Sequence, residues 1–113
     1  MTPNEEWGLI GKVVIVAGGG AEGDGIGNGR GAAILIARAG AEVLVVDQSL
    51  ERAEGTVKMI AKEGGKALAA SYNVTNSADC DAMVKDVMSR WGRLDGLHNN
   101  VGFGNKGTVV TET

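Results

Sequence analysis

Several residue types that would point to a particular class of site are scarce in this 113-residue chain. The one cysteine, Cys80, cannot form an internal disulfide, and we expect a reduced, cytoplasmic setting. With one histidine, His98, and no cluster at the spacing of metal ligands, the sequence predicts no metal site. The longest apolar run, residues 32–37, is far too short to cross a bilayer, and the polar, acidic residues 1–8 do not resemble a signal peptide.

Basic charge is also scarce. Eleven Lys and Arg residues stand against 14 Asp and Glu residues, for a net charge of −3. A nucleic-acid partner would require a basic stripe, so we expect none, and we expect no membrane partner either. Glycine is abundant, with 19 residues against one proline, and it clusters in one loop without the three-residue period of collagen. The length predicts one domain over residues 1–113.

Short apolar runs alternate with helical patterns along the chain. Continuous hydrophobicity, as at residues 43–46, is typical of strands that helices cover on both faces. Such alternation requires right-handed crossovers and a parallel sheet. We therefore predict an α/β fold, a partial three-layer Rossmann-type doubly wound sheet of about four strands in the order 3-2-1-4. Strands are predicted over residues 12–17, 42–47, 67–73 and 94–99, helices over residues 30–39, 50–63 and 77–91, and an irregular tail over residues 103–113.

The spacing within the third predicted helix indicates a buried apolar stripe. It consists of Cys80, Met83, Val84, Val87, Met88 and Trp91. On this pattern Cys80 is predicted to be a core residue and not a nucleophile. Tyr72 falls inside the third predicted strand and is interpreted as a packing residue.

A glycine-rich segment, residues 18–30, lies between the first predicted strand and the first predicted helix. Glycines let the backbone approach a pyrophosphate closely, and the N–H groups at a helix start bind it. Glycine spacing alone is weak evidence for a phosphate-binding loop, because an exposed flexible loop could have the same spacing. However, Asp47 ends the next strand 18 positions after Gly29, close to the about 20 expected for a carboxylate that binds the adenosine ribose. This context favours dinucleotide binding.

Four segments carry motifs that occur in the same order in one known family. Residues 9–18 look like that family's approach to its first strand, and residues 25–27 look like the Gly-Ile-Gly end of its glycine motif. Residues 73–75 resemble its Asp-Val-Thr motif, and residues 94–102 resemble the strand-four motif Asn-Asn-Ala-Gly. The chain thus resembles the short-chain dehydrogenases/reductases over nearly its whole length. The resemblance implies an NAD(P)-dependent oxidoreductase that transfers hydride between the cofactor and a small alcohol or carbonyl substrate.

The chain departs from the family in three places. Ala17 replaces the usual threonine, Asn73 replaces the usual aspartate, and the glycine loop is too long. Two alignments of the loop follow. If residues 25–27 are the family's Gly-Ile-Gly, the first helix carries two extra residues. If residues 27–29 take that role, the loop carries the whole insertion and Arg30 falls in the first turn of the helix. We prefer the second, because loops accept insertions more easily than packed helices do.

The resemblance also assigns cofactor contacts. The glycine loop would hold the pyrophosphate, Asp47 the adenosine ribose, residues 73 and 74 the adenine, and residues 99–102 would pass near the nicotinamide ribose. Because a carboxylate accepts from a ribose 2′-hydroxyl but repels a 2′-phosphate, Asp47 favours NAD over NADP. Arg30 and Arg38 are the two basic residues that count against this preference for NAD, although Arg38 is expected to lie near the carbonyls that end its helix. The predicted cofactor-binding residues are Gly18, Gly25, Ile26, Gly27, Asn28, Gly29, Asp47, Asn73, Val74, Asn99, Val101 and Gly102.

The family's catalytic Tyr-x-x-x-Lys motif is absent. The one tyrosine is Tyr72, Asn76 stands four residues later, and the chain ends at Thr113. We therefore predict no catalytic residue here and a truncated cofactor-binding fragment that is inactive on its own. The alternative is a non-catalytic dinucleotide-binding module, or a fragment that needs a partner chain. The resemblance also allows a homo-oligomer.

Overall fold

The computed structural model describes residues 9–18, 20 and 28–99, in which strands and helices alternate strictly. The described elements are β1 (Val13–Ala17), α1 (Asn28–Arg38), β2 (Glu42–Asp47), α2 (Leu50–Lys62), β3 (Lys66–Ser71), α3 (Ser77–Trp91) and β4 (Gly96–Asn99). Among the described residues, four strands form one parallel sheet in the order β3-β2-β1-β4. The predicted fold class and strand order are confirmed. The predicted tail at residues 103–113 lies outside the described residues.

Side chains of the two inner strands alternate between two cores. Val14, Val16, Val43 and Val45 pack with alanines of α1 and with Ala53 and Ile60 of α2. On the other face, Val13, Ile15, Leu44 and Val46 pack with Met83 and Val87 of α3. Both faces of β1 and β2 are therefore buried, which explains why their sequences are apolar without alternation. The chain forms three layers, with α1 and α2 on one face of the sheet and α3 on the other.

Local signals fix the ends of α2 and α3. Ser49 precedes α2 and its Oγ accepts from the backbone N–H of Arg52 at 3.3 Å. Asn76 precedes α3 and accepts from two backbone N–H groups of its first turn, at 2.8 and 3.1 Å. Gly92 ends α3 in the left-handed region, with φ of 73°. These are the side-chain caps and terminal glycine that define helix ends in a sequence, and α3 has the bounds that were predicted.

The buried stripe predicted for α3 is partly wrong. Met83 and Val87 are buried, but Val84 and Met88 are 40% and 46% exposed. Cys80 is half-buried rather than a core residue, and its Sγ donates to the carbonyl of Val74 at 3.3 Å. Among the described helices, α3 is the one on its face of the sheet. Met83 and Val87 therefore face the strands, whereas Val84 and Met88, each one position later in the sequence, point to the side of the helix.

The start of β4 is joined to the start of β1 by Asp95. Its Oδ2 accepts from the backbone N–H of Val13 at 2.8 Å, and its own N–H donates to the Val13 carbonyl at 2.8 Å. Arg93 donates to both carboxylate oxygens at 2.8 Å. The bonds from Arg93 and, next, from Val13 lower the pKa of Asp95 to about 2 from its ordinary 3.8. The carboxylate and the backbone N–H of Asp95 thus join the start of β4 to the start of β1.

Asp95 is expected to make folding stability depend on acid pH. Its pKa is lower in the folded state than in the unfolded chain, so its contribution is complete above about pH 4 and is lost as the pH falls through about 2. Melting temperatures of the wild type and Asp95→Asn, measured by circular dichroism from pH 5 to pH 2, should differ most at pH 5 and converge at pH 2. A constant difference over that range would contradict the role given to the charge.

Candidate functional site

The carboxyl ends of β1, β2 and β3 meet at one edge of the sheet, and a cleft of about 570 Å³ opens there. In doubly wound sheets this edge is where ligands bind, because the loops that leave the strands diverge to opposite faces. The cleft is lined by the last two residues of β2, by residues that follow the three strands and by the first turn of α2. They are Gly18, Val46, Asp47, Gln48, Ser49, Arg52, Tyr72 and Val74.

Asp47, the last residue of β2, is the anionic group of the cleft. One carboxylate oxygen, Oδ1, accepts from the backbone N–H of Ser49 at 3.0 Å, and Oδ2 accepts from the backbone N–H of Gly20 at 3.1 Å. These two bonds fix the orientation of the carboxylate between the glycine loop and the start of α2. An ionised carboxylate has about four acceptor positions. Asp47 can therefore accept further bonds from ligand hydroxyls without losing either contact.

Two glycines bring the loop after β1 close to Asp47. Gly18, with φ of 77°, donates its N–H to the carbonyl of Val46 at 2.7 Å. A Cβ added at Gly20 would stand 2.6 Å from Cβ of Arg52 and 2.9 Å from Oδ2 of Asp47. Those distances are shorter than carbon atoms tolerate, so the loop lies this close because residue 20 has no side chain.

Helix α1 begins at Asn28, two residues before the predicted start. Gly29 and Arg30 therefore lie in its first turn. The choice between the two alignments of the loop stays a prediction, because residues 21–27 lie outside the described residues. Arg30 does not extend towards solvent. Its side chain is 0% exposed, and Nε donates to Oγ1 of Thr56 at 2.8 Å while Nη2 donates to the carbonyl of Arg52 at 3.3 Å.

Arg38 lies in the last turn of α1, at the carbonyl end of the helix as expected, and its side chain pairs there with a carboxylate. Its Nε and Nη2 donate to the two carboxylate oxygens of Glu63, at 2.8 and 2.7 Å, so it bridges the end of α1 to the end of α2. Residue 63 follows α2 immediately in sequence, and a carboxylate there attracts the guanidinium more strongly than helix carbonyls do. This pair lies at the opposite end of the sheet from the cleft.

Asn73 and Val74 follow β3, which ends at Ser71. The Oδ1 atom of Asn73 accepts from both the N–H and the hydroxyl of Thr75, at 3.0 and 2.6 Å, so its amide closes the turn that leads into α3. Val74 lines the cleft, whereas Asn73 is not one of its lining residues. Asn99 is the last residue of β4 and is paired in register with Ala17.

The sequence predicts that Tyr72 is a packing residue within the third strand. It lies just after β3, where it both packs against the core on the α3 side and lines the cleft. Its hydroxyl donates to Oδ2 of Asp86 at 3.3 Å. Burial and, next, the charge of Asp86 raise its pKa above the usual 10. Its position directly before the Asn-Val-Thr segment is the sequence signal that could have placed it at the cleft.

The remaining predicted cofactor-binding residues lie outside the described residues. They are Gly25, Ile26, Gly27, Val101 and Gly102. Over the described ranges, no three His, Cys, Asp or Glu side chains are grouped to hold a metal ion. His98 is half-buried within β4, opposite Val16 in register. No helix in the described part of the chain is both long and apolar enough to span a membrane.

Comparison with known proteins agrees with this geometry. A family model described as enoyl-(acyl carrier protein) reductase matches residues 19–113. The short-chain dehydrogenase/reductase homologue YusS of Bacillus subtilis is 36% identical over 93 residues, which cover 81% of each chain. This chain belongs to the short-chain dehydrogenase/reductase family.

Solved structures show the same fold. The crystal structure of a putative short-chain dehydrogenase/reductase from Burkholderia xenovorans is 40% identical with a TM-score of 0.81, over 88% of this chain and 38% of that one. A metagenomic short-chain oxidoreductase in complex with NADP is 28% identical with a TM-score of 0.77, over 85% of this chain and 41% of that one. The chain spans 10% to 38% of the length of several other curated relatives that it matches.

Proposed function

We propose that this chain binds NAD at the carboxyl edge of its sheet. The observation that carries the proposal is the carboxylate of Asp47, fixed at the end of β2 by Ser49 and Gly20. A carboxylate in that position accepts bonds from the hydroxyls of an adenosine ribose. The close approach of Gly20, where a Cβ would collide with Asp47 and Arg52, keeps the glycine-rich loop beside that carboxylate.

The other predicted contacts are part of the same proposal. Residues 18 and 25–29 hold the pyrophosphate at the start of α1, where N–H groups have no partner within the helix. Val74 borders the adenine, with Asn73 shaping the turn beside it. Residues 99, 101 and 102 pass near the nicotinamide ribose, because β4 ends at the same edge of the sheet as β1.

NAD is favoured over NADP on charge. The carboxylate of Asp47 would repel a 2′-phosphate. That repulsion exceeds the attraction between the phosphate and an exposed, solvated side chain such as Arg52. Arg52 nevertheless lines the cleft, and the structurally similar metagenomic short-chain oxidoreductase was solved in complex with NADP. We therefore expect NADP to bind, more weakly than NAD.

For the reaction, we propose an oxidoreductase that moves hydride between NAD and an alcohol or carbonyl substrate, in the cytoplasm, with residues 1–113 as one cofactor-binding domain. NAD accepts or donates the hydride, and this chain orients it. The family's Tyr-x-x-x-Lys motif does not occur in the 113 residues. We expect no turnover by this chain alone. The second candidate is a non-catalytic dinucleotide-binding module, or a fragment that acts with a partner chain.

Calorimetry with NAD and NADP tests the proposal. We expect NAD to bind the wild type, and Asp47→Ala to weaken it by about 10- to 100-fold, because a hydrogen bond to a charged group contributes about 1.5–3 kcal/mol. Asp81→Ala is the matched control, since Asp81 is an exposed carboxylate on α3 that does not line the cleft.

Three outcomes separate the alternatives. A folded chain that binds neither dinucleotide would contradict the proposed function, and tighter binding of NADP would contradict the role of Asp47. Turnover of any alcohol in a panel by the chain alone, sensitive to Asp47→Ala, would rule out the non-catalytic module.

A further inference from the structure

A buried arginine joins α1 to α2, the helix whose first turn lines the cleft. Arg30, in the first turn of α1, is 0% exposed, and so is its partner on α2, Thr56. Nε of Arg30 donates to Oγ1 of Thr56 at 2.8 Å, and Nη2 donates to the carbonyl of Arg52 at 3.3 Å. Burial of a guanidinium is unfavourable unless its donors are used, so these contacts are specific.

The packing of α2 leaves room for this side chain. A Cβ added at Gly55 would stand 2.8 Å from Nη2 of Arg30. Glycine in the middle of a helix destabilises it relative to alanine, so its presence at this position needs a reason. The space that it leaves is filled by the guanidinium.

Three hydrogen bonds, joined through the covalent chain at Arg52 and Ser49, link Arg30 to Asp47. The carbonyl of Arg52 accepts from Arg30, and the N–H of Arg52 donates to Oγ of Ser49 at 3.3 Å. The N–H of Ser49 donates in turn to Oδ1 of Asp47 at 3.0 Å. Arg30 thus holds the turn whose first residues fix the orientation of the Asp47 carboxylate.

We infer that Arg30 is a positioning residue for ribose recognition. It anchors the first turn of α2 to the first turn of α1, and through Ser49 it keeps the carboxylate of Asp47 aimed at the ribose 2′-hydroxyl. The inference rests on the proposed function, because it assigns Arg30 a role at that same site. A positioning role for Arg30 predicts that its loss reduces the discrimination between a ribose and a 2′-deoxyribose. A purely structural role predicts no such change.

The test compares dissociation constants of ADP and 2′-deoxy-ADP for the full 113-residue chain. The wild type should prefer ADP by about tenfold or more, the ratio that corresponds to one hydrogen bond to a charged acceptor. In Arg30→Met the preference should fall below about twofold. Arg38→Met is the matched control. It removes an arginine from the other end of the same helix, where Arg38 pairs with Glu63, and it should leave the ratio unchanged.

Two further variants keep the test decisive if Arg30→Met does not fold. Thr56→Val removes the acceptor of Nε at nearly constant volume. It should reduce the preference for ADP over 2′-deoxy-ADP by about two- to threefold or more, because a single neutral hydrogen bond contributes at least that much. Arg30→Lys keeps the positive charge but lacks the planar guanidinium, which donates to two acceptors in different directions. Its preference for ADP over 2′-deoxy-ADP should therefore lie between those of the wild type and Arg30→Met.

The outcomes distinguish the inference from the function beneath it. A wild type that binds neither nucleotide, or binds both equally, would overturn the proposed ribose site and the inference with it. A wild type that prefers ADP, with the same preference in Arg30→Met and Thr56→Val, would overturn the inference alone, even if both variants bind more weakly.

Discussion

Leu44→Ala should destabilise the fold by about 2–5 kcal/mol, the range for leucine truncations that leave a cavity. Leu44 is 1% exposed in β2, an inner strand of the described sheet, and it packs in the core beneath α3 with Ile15 and Val87. Because small domains are stable by about 5–15 kcal/mol, this change removes a large share of the total. Urea unfolding followed by circular dichroism should show a lower midpoint with an unchanged slope.

Leu68→Ala provides the control, because Leu68 lies opposite Leu44 in the register of β2 and β3. Leu68 is 41% exposed, on the outermost described strand of that side, so its neighbours can relax and water already covers part of it. Its truncation should cost less than about 1.5 kcal/mol. Equal effects of the two variants would show that the core beneath α3 is not the main source of stability.

The elements that the sequence predicted well are those with signals at both ends. For α3, the capping asparagine at position 76 and the glycine at position 92 lie within one residue of the helix, and both predicted bounds match. Strand β2 lies between two glycine- or serine-marked turns and is apolar throughout, and its bounds also match. In these segments local propensity and tertiary packing favour the same structure.

The start of α1 was harder to predict, because local sequence does not determine it. Between residues 18 and 30 the chain is so rich in glycine that apolar periodicity is absent, and the predicted start was two residues late. The choice between the two alignments of the loop stays a prediction, because the residues that distinguish them, 21–27, lie outside the described residues.

Contacts between distant residues were not predictable. Arg30 meets Thr56 across 26 positions and Arg38 meets Glu63 across 25, and a single sequence contains no sign of either pair. The exposure of Met88 was missed for a related reason. Helical spacing gives the apolar face of a helix but not how much of that face another element covers.

Gly20→Ala should weaken NAD binding by about 10- to 100-fold while changing global stability little, since it acts on a charge-assisted contact at the rim of the fold. The added methyl group would stand 2.6 Å from Cβ and 2.9 Å from the carbonyl carbon of Arg52, so either the loop or the first turn of α2 must move. Movement of the loop breaks the bond from Gly20 to Asp47, which is 3.1 Å long. Calorimetry with NAD and a thermal melt on the same samples would separate the two effects.

Gly64→Asn is the matched control at the far end of α2. Gly64 has φ of 84° and nothing within 4 Å of an added Cβ, and asparagine adopts that backbone region more readily than other residues with a side chain. It should lower stability by no more than about 1 kcal/mol and leave NAD affinity unchanged. If Gly20→Ala bound NAD as tightly as the wild type, the glycine loop would not need to approach Asp47 at residue 20, and the ribose carboxylate would have to be oriented by Ser49 alone.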